Sequence, residues 1–332
     1  MKKNLARWLI DIWYKDPFIG VWLSPLGFIF SDVVKFRRFL YRHGVIKTHT
    51  LPVPVIVVGN ITVGGTGKTP LIIWLAGFLK DSGFKPGIIS RGYGGNAESW
   101  PQWVTADSDA ENIGDEALLI AKQTACPVAV GPLRVEAAHL LLKQADCNVI
   151  LSDDGLQHYA LNRDIEIAVI DGERRFGNGY CLPAGPLREP IERLQSIDFI
   201  IVNGEKSEES EFSMQLIGNT AVNLVTGEQK SLQEFNAVDC HALAGIGNPE
   251  RFFKLLESAG LICTNHSFPD HYPFQRHDIE FSDNKPVLMT EKDAVKCMAF
   301  AGKQHWYLPV KAVPEAVFSE QLLNLLREKH DR

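Results

Sequence analysis

Short apolar runs alternate with helix-periodic segments along most of the chain. Segments with helical spacing lie at 70–82, 115–124 and 134–145. The apolar runs, rich in β-branched residues as buried parallel strands are, lie at 53–58, 86–90, 127–130, 147–152, 165–170 and 198–202. This order predicts an α/β fold with a doubly wound, mostly parallel sheet, in which ligands bind at the carboxyl ends of the strands.

The C-terminal part of the chain repeats this alternation on a smaller scale. Residues 205–212 (EKSEESEF) are charged and lack hydrophobic periodicity, which predicts a linker or an exposed loop. After them we expect strands near 214–225, 241–245 and 286–289, and helices at 249–260 and 315–329. The pattern divides the 332 residues into an N-terminal segment, a core and a smaller α/β subdomain, at 1–50, 51–204 and 205–332.

The N-terminal segment combines aromatic residues with positive charge. Residues 18–30 (FIGVWLSPLGFIF) contain Pro25 and no charged residue, and they are too few for a membrane-spanning helix, which needs about 20 residues. An amphipathic stretch with Lys35, Arg37, Arg38 and Arg42 follows. This pattern predicts helices that lie in a membrane surface. A packed helix pair with solvated cations is the alternative.

The charge of the chain is divided in the same way. Residues 1–50 hold nine Lys or Arg and three Asp, so they carry +6, whereas the whole chain carries −6. The remaining body is therefore acidic, which argues against a general nucleic-acid-binding protein. The opposite sign at the N-terminal end indicates a contact surface there.

A phosphate-binding motif follows the first predicted strand. Residues 59–70 read GNITVGGTGKTP, and helical spacing continues after them. A strand, a glycine-rich loop ending in Gly-Lys-Thr and a helix form a P-loop, whose backbone N–H groups and helix dipole bind phosphate. Lys68 would reach the β- and γ-phosphates, and the Thr69 hydroxyl would bind Mg²⁺. We expect a nucleotide at Thr62, Val63, Gly64, Gly65, Thr66, Gly67, Lys68 and Thr69.

The first position of this loop departs from the usual P-loop signature. A P-loop normally opens with Gly, and this loop opens with Thr62, although Gly64, Gly65 and Gly67 still supply a flexible backbone. A strand–helix turn that binds nothing is therefore the alternative interpretation. The complete Gly-Lys-Thr ending favours the nucleotide.

Two adjacent acids end another predicted strand. Asp153 and Asp154 follow the apolar run at 147–152. P-loop enzymes place a metal-binding carboxylate at the end of a strand next to the P-loop strand, so we expect one of these acids to bind Mg²⁺. Successive side chains of a strand point to opposite faces, so only one of the two can point at the metal. A turn with two solvated carboxylates is the alternative.

An acid and a histidine are candidates for proton transfer. Asp115 opens a predicted helix, where it either caps the helix or accepts the proton of a substrate hydroxyl. His271 lies beside Asp270 in the aromatic turn FPDHYPF. A histidine in such a turn is either structural or tunes a catalytic carboxylate.

Three arginines and one glutamate are candidates for contacts near a nucleotide. Arg91 and Arg134 follow predicted strands, and Arg134 could meet phosphate charge. Arg188 and Glu189 lie together in the turn-rich segment GPLREP. They form either a solvated surface pair or a pair close to the nucleotide.

Seven strings of the sequence together resemble one family, the tetraacyldisaccharide 4'-kinases of lipid A biosynthesis. They are VGNITVGGTGKTP, SRGYGG, GDEALL, SDDGLQH, LPAGPLREP, FPDHYPF and TEKDAVK. They occur in the family's order and span nearly the whole chain, and the Thr that opens the loop fits the family's own pattern. The resemblance implies an enzyme at the cytoplasmic face of the inner membrane. It would move the γ-phosphoryl group of ATP to the 4'-hydroxyl of a lipid A disaccharide precursor, with Mg²⁺ and without a protein partner.

The resemblance also implies roles for individual residues. The acid of the family's GDE motif is Asp115, the base candidate, and the histidine of its DHY motif is His271, the partner of that base. Lys68 and Thr69 keep their P-loop roles. The acids of the DDG and REP motifs are metal-site candidates, namely Asp153, Asp154 and Glu189. Charge stabilisation or substrate contact is implied for Arg91, Arg134 and Arg188.

Two other functions are consistent with a P-loop. A switch ATPase that dimerises on a membrane and recruits protein partners typically has a second Lys before the paired glycines, and this chain has Val63 there. A soluble small-molecule kinase would leave the basic, aromatic N-terminal segment unexplained. The resemblance therefore favours the lipid kinase.

Overall fold

A nine-stranded sheet forms the centre of the computed structural model, which describes residues 9–10, 12–14, 17–236 and 238–330. Numbered β1–β15 along the chain, its strands are β1 (Val55–Gly59), β2 (Pro86–Ser90), β3 (Gln102–Val104), β4 (Val128–Val130), β5 (Val149–Asp153), β6 (Ile165–Asp171), β7 (Phe199–Asn203), β8 (Glu211–Ile217) and β15 (Lys311–Pro314). Their order is β15-β8-β7-β6-β1-β5-β2-β4-β3. The strands from β8 to β4 are parallel, and the edge strands β15 and β3 are antiparallel to their neighbours.

Helices cover both faces of this sheet. The helices whose ends lie within the described residues are α1 (Pro17–Arg42), α2 (Lys68–Asp81), α3 (Ala110–Ile113), α4 (Asp115–Thr124), α5 (Arg134–Gln144), α6 (Pro249–Ser258), α7 (Arg276–Ile279), α8 (Glu291–Cys297) and α9 (Ala316–His330). Helices α2, α4 and α9 pack on one face of the sheet, where Ile56 and Val58 point. Helix α5 packs on the other face, where Val55 and Val57 point. The predicted α/β fold with a doubly wound, mostly parallel sheet is confirmed.

A second, six-stranded sheet carries the smaller part of the molecule. Its strands are β9 (Thr220–Asn223), β10 (Gln229–Ser231), β11 (Cys240–Ala244), β12 (Cys263–Ser267), β13 (Val287–Thr290) and β14 (His305–Leu308), in the order β10-β9-β14-β13-β11-β12. Strands β12, β11, β13 and β14 are parallel, and β9 and β10 are antiparallel. Phe252 and Leu256 of α6 pack against this sheet in a core of their own. The predicted second, smaller α/β unit is thus present.

The division between the two sheets differs from the predicted boundary at residue 205. The run 214–225, predicted as one strand, is split between β8 in the large sheet and β9 in the small one. The chain later returns to the large sheet through β15 and α9. The charge of segment 205–212 and its lack of hydrophobic periodicity predict a linker or an exposed loop. Glu211, however, is buried at the start of β8. It can be buried because Arg175 donates two hydrogen bonds to its carboxylate, at 2.6 and 3.1 Å.

Helix α1 is one continuous helix that runs through Pro25. Two glycines let it approach the main body closely: a Cβ on Gly20 would lie 2.9 Å from the carbonyl oxygen of Ala184, and one on Gly27 would lie 2.9 Å from that of Cys181. The predicted N-terminal helices therefore include α1, whereas residues 1–8 lie outside the described residues. Within the described part of the chain, no helix is both long and apolar enough to cross a membrane.

Replacing Phe318 in α9 should destabilise the protein strongly. Phe318 is fully buried and contacts the rings of Trp74, Phe199 and Phe212, so Phe318→Ala leaves a cavity in the main core. We expect a loss of about 3–5 kcal/mol in the free energy of unfolding, measured by urea denaturation. The neighbouring Val317, 52% exposed, provides the control Val317→Ala. Equal losses in the two variants would contradict the assignment of α9 to the main core.

Candidate active site

The loop between β1 and α2 has the geometry of a phosphate-binding loop. Gly67 precedes α2 with a φ of 100°, a left-handed conformation that suits glycine, and Asn203 fixes the loop by donating to the carbonyl oxygen of Thr66 at 3.0 Å. The Lys68 ammonium lies 3.1 Å from the Asn60 side-chain oxygen. Residues 63–70 line a cavity of about 760 Å³. The loop thus presents backbone N–H groups, a helix N-terminus and a cation to one cavity.

Asp153 ends the strand beside the P-loop strand. Strands β1 and β5 are parallel, with Val58 paired to Asp153, so the Asp153 carboxyl group lies at the carboxyl edge next to the loop. Its Oδ2 accepts a hydrogen bond from the Ser90 hydroxyl at 3.1 Å, and its buried Oδ1 has no partner within the described residues. Burial, together with the charges of Glu116 and Asp154, raises the pKa of Asp153 to about 7. A buried oxygen without a partner, facing a phosphate loop, fits a metal ligand.

Asp154 has a different environment from its neighbour. It lies in a left-handed conformation, with a φ of 47°. Arg188 donates to both of its carboxylate oxygens, at 2.9 and 3.0 Å, and the Lys68 ammonium is 3.5 Å away. Burial raises the pKa of Asp154, but Lys68 and Arg188 outweigh burial and hold this pKa well below its usual range. Asp154 therefore positions the two cations, whereas Asp153 has the unpaired oxygen.

Glu189 does not join this cluster, although the sequence makes it a metal-site candidate. It is 1% exposed and is absent from the residues that line the cavity. Gln157 donates to its Oε1 at 2.7 Å, the Tyr159 hydroxyl donates to its Oε2, and the Arg193 guanidinium lies 3.3 Å from Oε2. Both carboxylate oxygens are thus occupied by protein groups. The structure corrects the prediction: Glu189 belongs to a buried network behind the loop.

Two further predicted nucleotide contacts also lie behind the cavity rather than in it. Arg134 is buried and donates to the carbonyl oxygens of Gly131 and Asp153, at 3.2 and 3.4 Å, so it supports the turn that holds the acids. Thr62 is buried and forms a backbone bridge with Leu187. By contrast, the cavity lining includes Arg91 and Arg188, as well as every loop residue from Val63 to Thr69.

Asp115 and His271 form a hydrogen-bonded pair at the other side of the cavity. The Nδ1 of His271 lies 3.2 Å from the Oδ1 of Asp115. Burial raises the pKa of Asp115, but the hydrogen bond from His271 and the charges of Lys292 and Lys296 lower it to about 2. Burial lowers the pKa of His271, and its carboxylate neighbours Asp115 and Asp270 raise it above its usual value. The pair therefore holds an ionised carboxylate against an imidazole.

The Oδ2 atom of Asp115 lies 3.8 Å from the Lys296 ammonium, too far for a hydrogen bond. This oxygen is buried and accepts no hydrogen bond within the described residues. The His271 ring, which lines the cavity, lies beside Asp115, and the Tyr93 ring is tilted by 53° against the His271 ring, with 4.6 Å between the ring centres. His271 thus lines the same cavity as the phosphate-binding loop, and Asp115 lies directly behind His271, hydrogen-bonded to it but not itself among the lining residues.

Several residues at the site carry no role in the sequence analysis. Asn60, Ser90 and Asn203 lie at the carboxyl ends of β1, β2 and β7, so their strand-end position was a usable signal. Gly247 also follows a strand, β11, but its contact with the loop could not be predicted because β11 belongs to the second sheet. A Cβ on Gly247 would lie 2.1 Å from the amide nitrogen of Gly65, so only glycine fits this contact.

Comparison with known proteins shows which family the chain belongs to. Residues 19–327 match the sequence profile of a family described as Tetraacyldisaccharide-1-P 4'-kinase. The chain belongs to the tetraacyldisaccharide 4'-kinase family. A tetraacyldisaccharide 4'-kinase of Nitrosococcus oceani is 52% identical over 96% of this chain and 94% of its own, and one of Pasteurella multocida is 48% identical over 91% and 94%.

A solved structure supports the same assignment. The crystal structure of LpxK from Aquifex aeolicus in complex with ATP has a TM-score of 0.77 and 28% sequence identity, and covers 93% of this chain and 100% of that one. The resemblance of the seven strings to the tetraacyldisaccharide 4'-kinase family is therefore confirmed. Membership of this family favours a kinase over a switch ATPase and over a soluble small-molecule kinase.

Ionisation of the buried Asp153 carboxyl group should destabilise the protein when no divalent cation is present. Its pKa of about 7 lies above the usual value of about 3.9, so ionisation opposes folding as the pH rises through that interval. In EDTA at pH 8 we expect Asp153→Asn to raise the free energy of unfolding by on the order of 2–4 kcal/mol. This gain should vanish near pH 4. The exposed Asp107 provides the control Asp107→Asn, and a gain independent of pH would refute the explanation.

Proposed function

We propose that this chain transfers the γ-phosphoryl group of ATP to the 4'-hydroxyl of a tetraacyldisaccharide 1-phosphate, the lipid A precursor, and so forms lipid IVA. The observation that carries the proposal is a single cavity lined by the P-loop, Asp153 and His271. Phosphoryl transfer requires phosphate binding, charge neutralisation and a proton acceptor close together. The family supplies the identity of the acceptor lipid.

The P-loop side of the cavity would bind the triphosphate. The backbone of Val63–Thr69 would bind phosphate oxygens, and Lys68, Arg91 and Arg188 would supply positive charge. The Thr69 hydroxyl and the unpaired Oδ1 of Asp153 would hold Mg²⁺, which neutralises the charge that develops on the phosphates. Mg²⁺ is commonly held by one or two carboxylates together with substrate phosphates, so this small set of protein ligands is sufficient.

The Asp115–His271 pair would accept the proton of the 4'-hydroxyl. As the bond between the hydroxyl oxygen and the γ-phosphorus forms, the bond to the leaving ADP breaks and the hydroxyl proton becomes strongly acidic. A carboxylate with a pKa of about 2 is a weak base, but it can accept such a proton late in the transfer. His271 would hold Oδ1 of the carboxylate and leave Oδ2 free for the proton.

Helix α1 would attach the enzyme to the membrane that holds its substrate. One side of α1 packs on the main body, and the other side exposes a row of large apolar side chains. This exposed side, the α1 apolar face, consists of Val21, Trp22, Leu26, Phe28, Ile29, Val33, Phe36 and Phe39, each more than half exposed. The exposed cations Lys35, Arg37 and Arg42 belong to the same helix and suit anionic headgroups.

The proposal places the enzyme at the cytoplasmic face of the inner membrane, where the lipid acceptor and ATP can meet. The acyl chains of the acceptor would stay in the bilayer, while ATP would enter the cavity from water. Such a reaction needs the lipid disaccharide, the membrane surface and Mg-ATP, and requires no protein partner. It also explains why an acidic chain has a positively charged N-terminal segment.

Removing the carboxylate of Asp115 should abolish turnover and leave ATP binding nearly intact. We expect Asp115→Ala to lower kcat by about 10²–10⁴-fold, with the KM for ATP changed less than about threefold. The measurement follows labelled phosphate from Mg-ATP to detergent-dispersed tetraacyldisaccharide 1-phosphate. The exposed Asp107 again provides the control, Asp107→Ala. Equal losses in kcat and ATP affinity would exclude the base assignment, and ATP hydrolysis indifferent to the lipid would favour the switch ATPase.

Charges placed on the α1 apolar face should release the protein from membranes. We expect the double variant Phe28→Glu/Phe36→Glu to reduce partition onto vesicles containing anionic lipid by at least about tenfold. Both side chains are 62% exposed, so folding should be preserved. The control is Ile262→Glu. The Ile262 side chain is 70% exposed and lies just before β12 of the second sheet, away from α1 in the sequence. Unchanged partition of the double variant would disprove this mode of attachment.

A further inference from the structure

Lys292 lies between the two segments that carry the Asp115–His271 pair. It is the second residue of α8, and its side chain is only 14% exposed. Its ammonium is 2.8 Å from the Glu116 carboxylate and 3.1 Å from the Asp270 carboxylate. Glu116 follows Asp115 in α4, and Asp270 precedes His271 in its turn. One ammonium therefore links the immediate neighbours of both members of the pair.

The same ammonium also contacts the imidazole directly, at 3.4 Å from Nε2 of His271. An ammonium can only donate hydrogen bonds, so Nε2 must be the accepting nitrogen of the ring. The ring proton is then on Nδ1, which faces the Asp115 carboxylate at 3.2 Å, and an ionised carboxylate can only accept. The chemistry of the two neighbours thus selects a single tautomer of His271.

We propose that Lys292 is a positioning residue that holds the Asp115–His271 pair together and opposes protonation of His271 at Nε2, so that the ring proton stays on Nδ1. The inference rests on the proposed function, because the pair matters only if it receives a proton. All three N–H groups of Lys292 have partners in this arrangement: Glu116, Asp270 and His271. Lys292 also lines the cavity, and its proposed role is to act through the pair rather than on the reacting atoms.

The charges around His271 define how the variant should behave. Asp115 and Glu116 face it from α4, Asp270 lies on its own turn, and the tilted Tyr93 ring contacts it. From α8, Lys292 faces the ring, and Lys296 reaches the Asp115 carboxylate at 3.8 Å. Removing Lys292 leaves Nε2 beside carboxylates and without a nearby cation. His271 should then protonate at a higher pH and lose the selected tautomer.

The test compares Lys292→Met, Lys292→Gln and Lys292→Arg in the full-length protein. Acceptor-dependent phosphate transfer is measured from pH 5.5 to 9.5 with saturating Mg-ATP and detergent-dispersed tetraacyldisaccharide 1-phosphate. For Met and Gln we expect kcat to fall by about 10–100-fold, with the KM for ATP changed less than about threefold. The fall in kcat on the acidic side of the pH profile, the acid limb, should shift to higher pH by about one unit in these two variants. Arginine should restore the position of this limb and part of kcat.

The controls separate positioning from folding and from direct substrate binding. Lys285, whose side chain is 37% exposed and pairs with Asp239 and Asp283, provides the control Lys285→Met, which should keep the wild-type profile. Glutamine keeps a hydrogen-bond donor at residue 292 and removes the charge. The Gln variant therefore still tests the positioning role of Lys292 if the Met variant does not fold. An acid limb that stays in place in both neutral variants would overturn the inference. A rise in the KM for the lipid with unchanged kcat would also overturn it.

The same assay distinguishes failure of this inference from failure of the proposed function. If the wild-type protein transfers no phosphate to the lipid, the proposed function itself fails. If the wild-type protein transfers phosphate and the neutral variants keep its pH profile, only the role of Lys292 fails.

Discussion

The parallel pairing of β1 with β5 is the constraint on which the phosphate-binding half of the site depends. The register places Val58 opposite Asp153, so the P-loop and Asp153 leave the sheet at the same edge. Strand β2 pairs with β5 on the other side and ends at Ser90, whose hydroxyl fixes the Asp153 carboxylate. Backbone hydrogen bonds between three strands therefore place a loop, an acid and its orienting hydroxyl, and side chains only complete the geometry.

The other half of the site comes from the second sheet. His271 follows β12, Lys292 follows β13 and Gly247 follows β11, so these residues also lie after the ends of parallel strands. Asp171, at the end of β6, joins the two sheets: it accepts a hydrogen bond from Asn248 at 3.0 Å and pairs with Arg251 at 2.8 Å. Two strand edges thus meet at the cavity: the large sheet carries the phosphate-binding loop and, through α4, Asp115, and the second sheet carries His271, Lys292 and Gly247.

The position of a candidate site residue could be predicted from the sequence where a chemical motif coincided with the end of a strand or the start of a helix. The P-loop, the acids after β5 and the start of α4 each combine a strand or helix boundary with a chemical motif, and the structure places these residues around one cavity. Glu189 shows the limit: its turn-rich, charged segment predicts exposure, whereas Gln157, Tyr159 and Arg193 bury it in a network formed by distant parts of the chain. The split of 214–225 between two sheets and the contact of Lys292 with His271 likewise depend on tertiary neighbours that periodicity does not encode.

Because the chain returns to the large sheet only at β15 and α9, the core of that sheet is completed late in the synthesis of the protein. Strand β15 pairs with β8, and Phe318 of α9 covers the rings of Phe199 and Phe212, so residues far apart in sequence complete one core. During translation, the large sheet has an open β8 edge and uncovered aromatic rings until the ribosome has made α9. A chain truncated before β15 would keep this edge, which can pair with other chains. The topology therefore leaves the sheet edge and the aromatic rings of the nascent chain uncovered for longer than in a chain whose two sheets were consecutive.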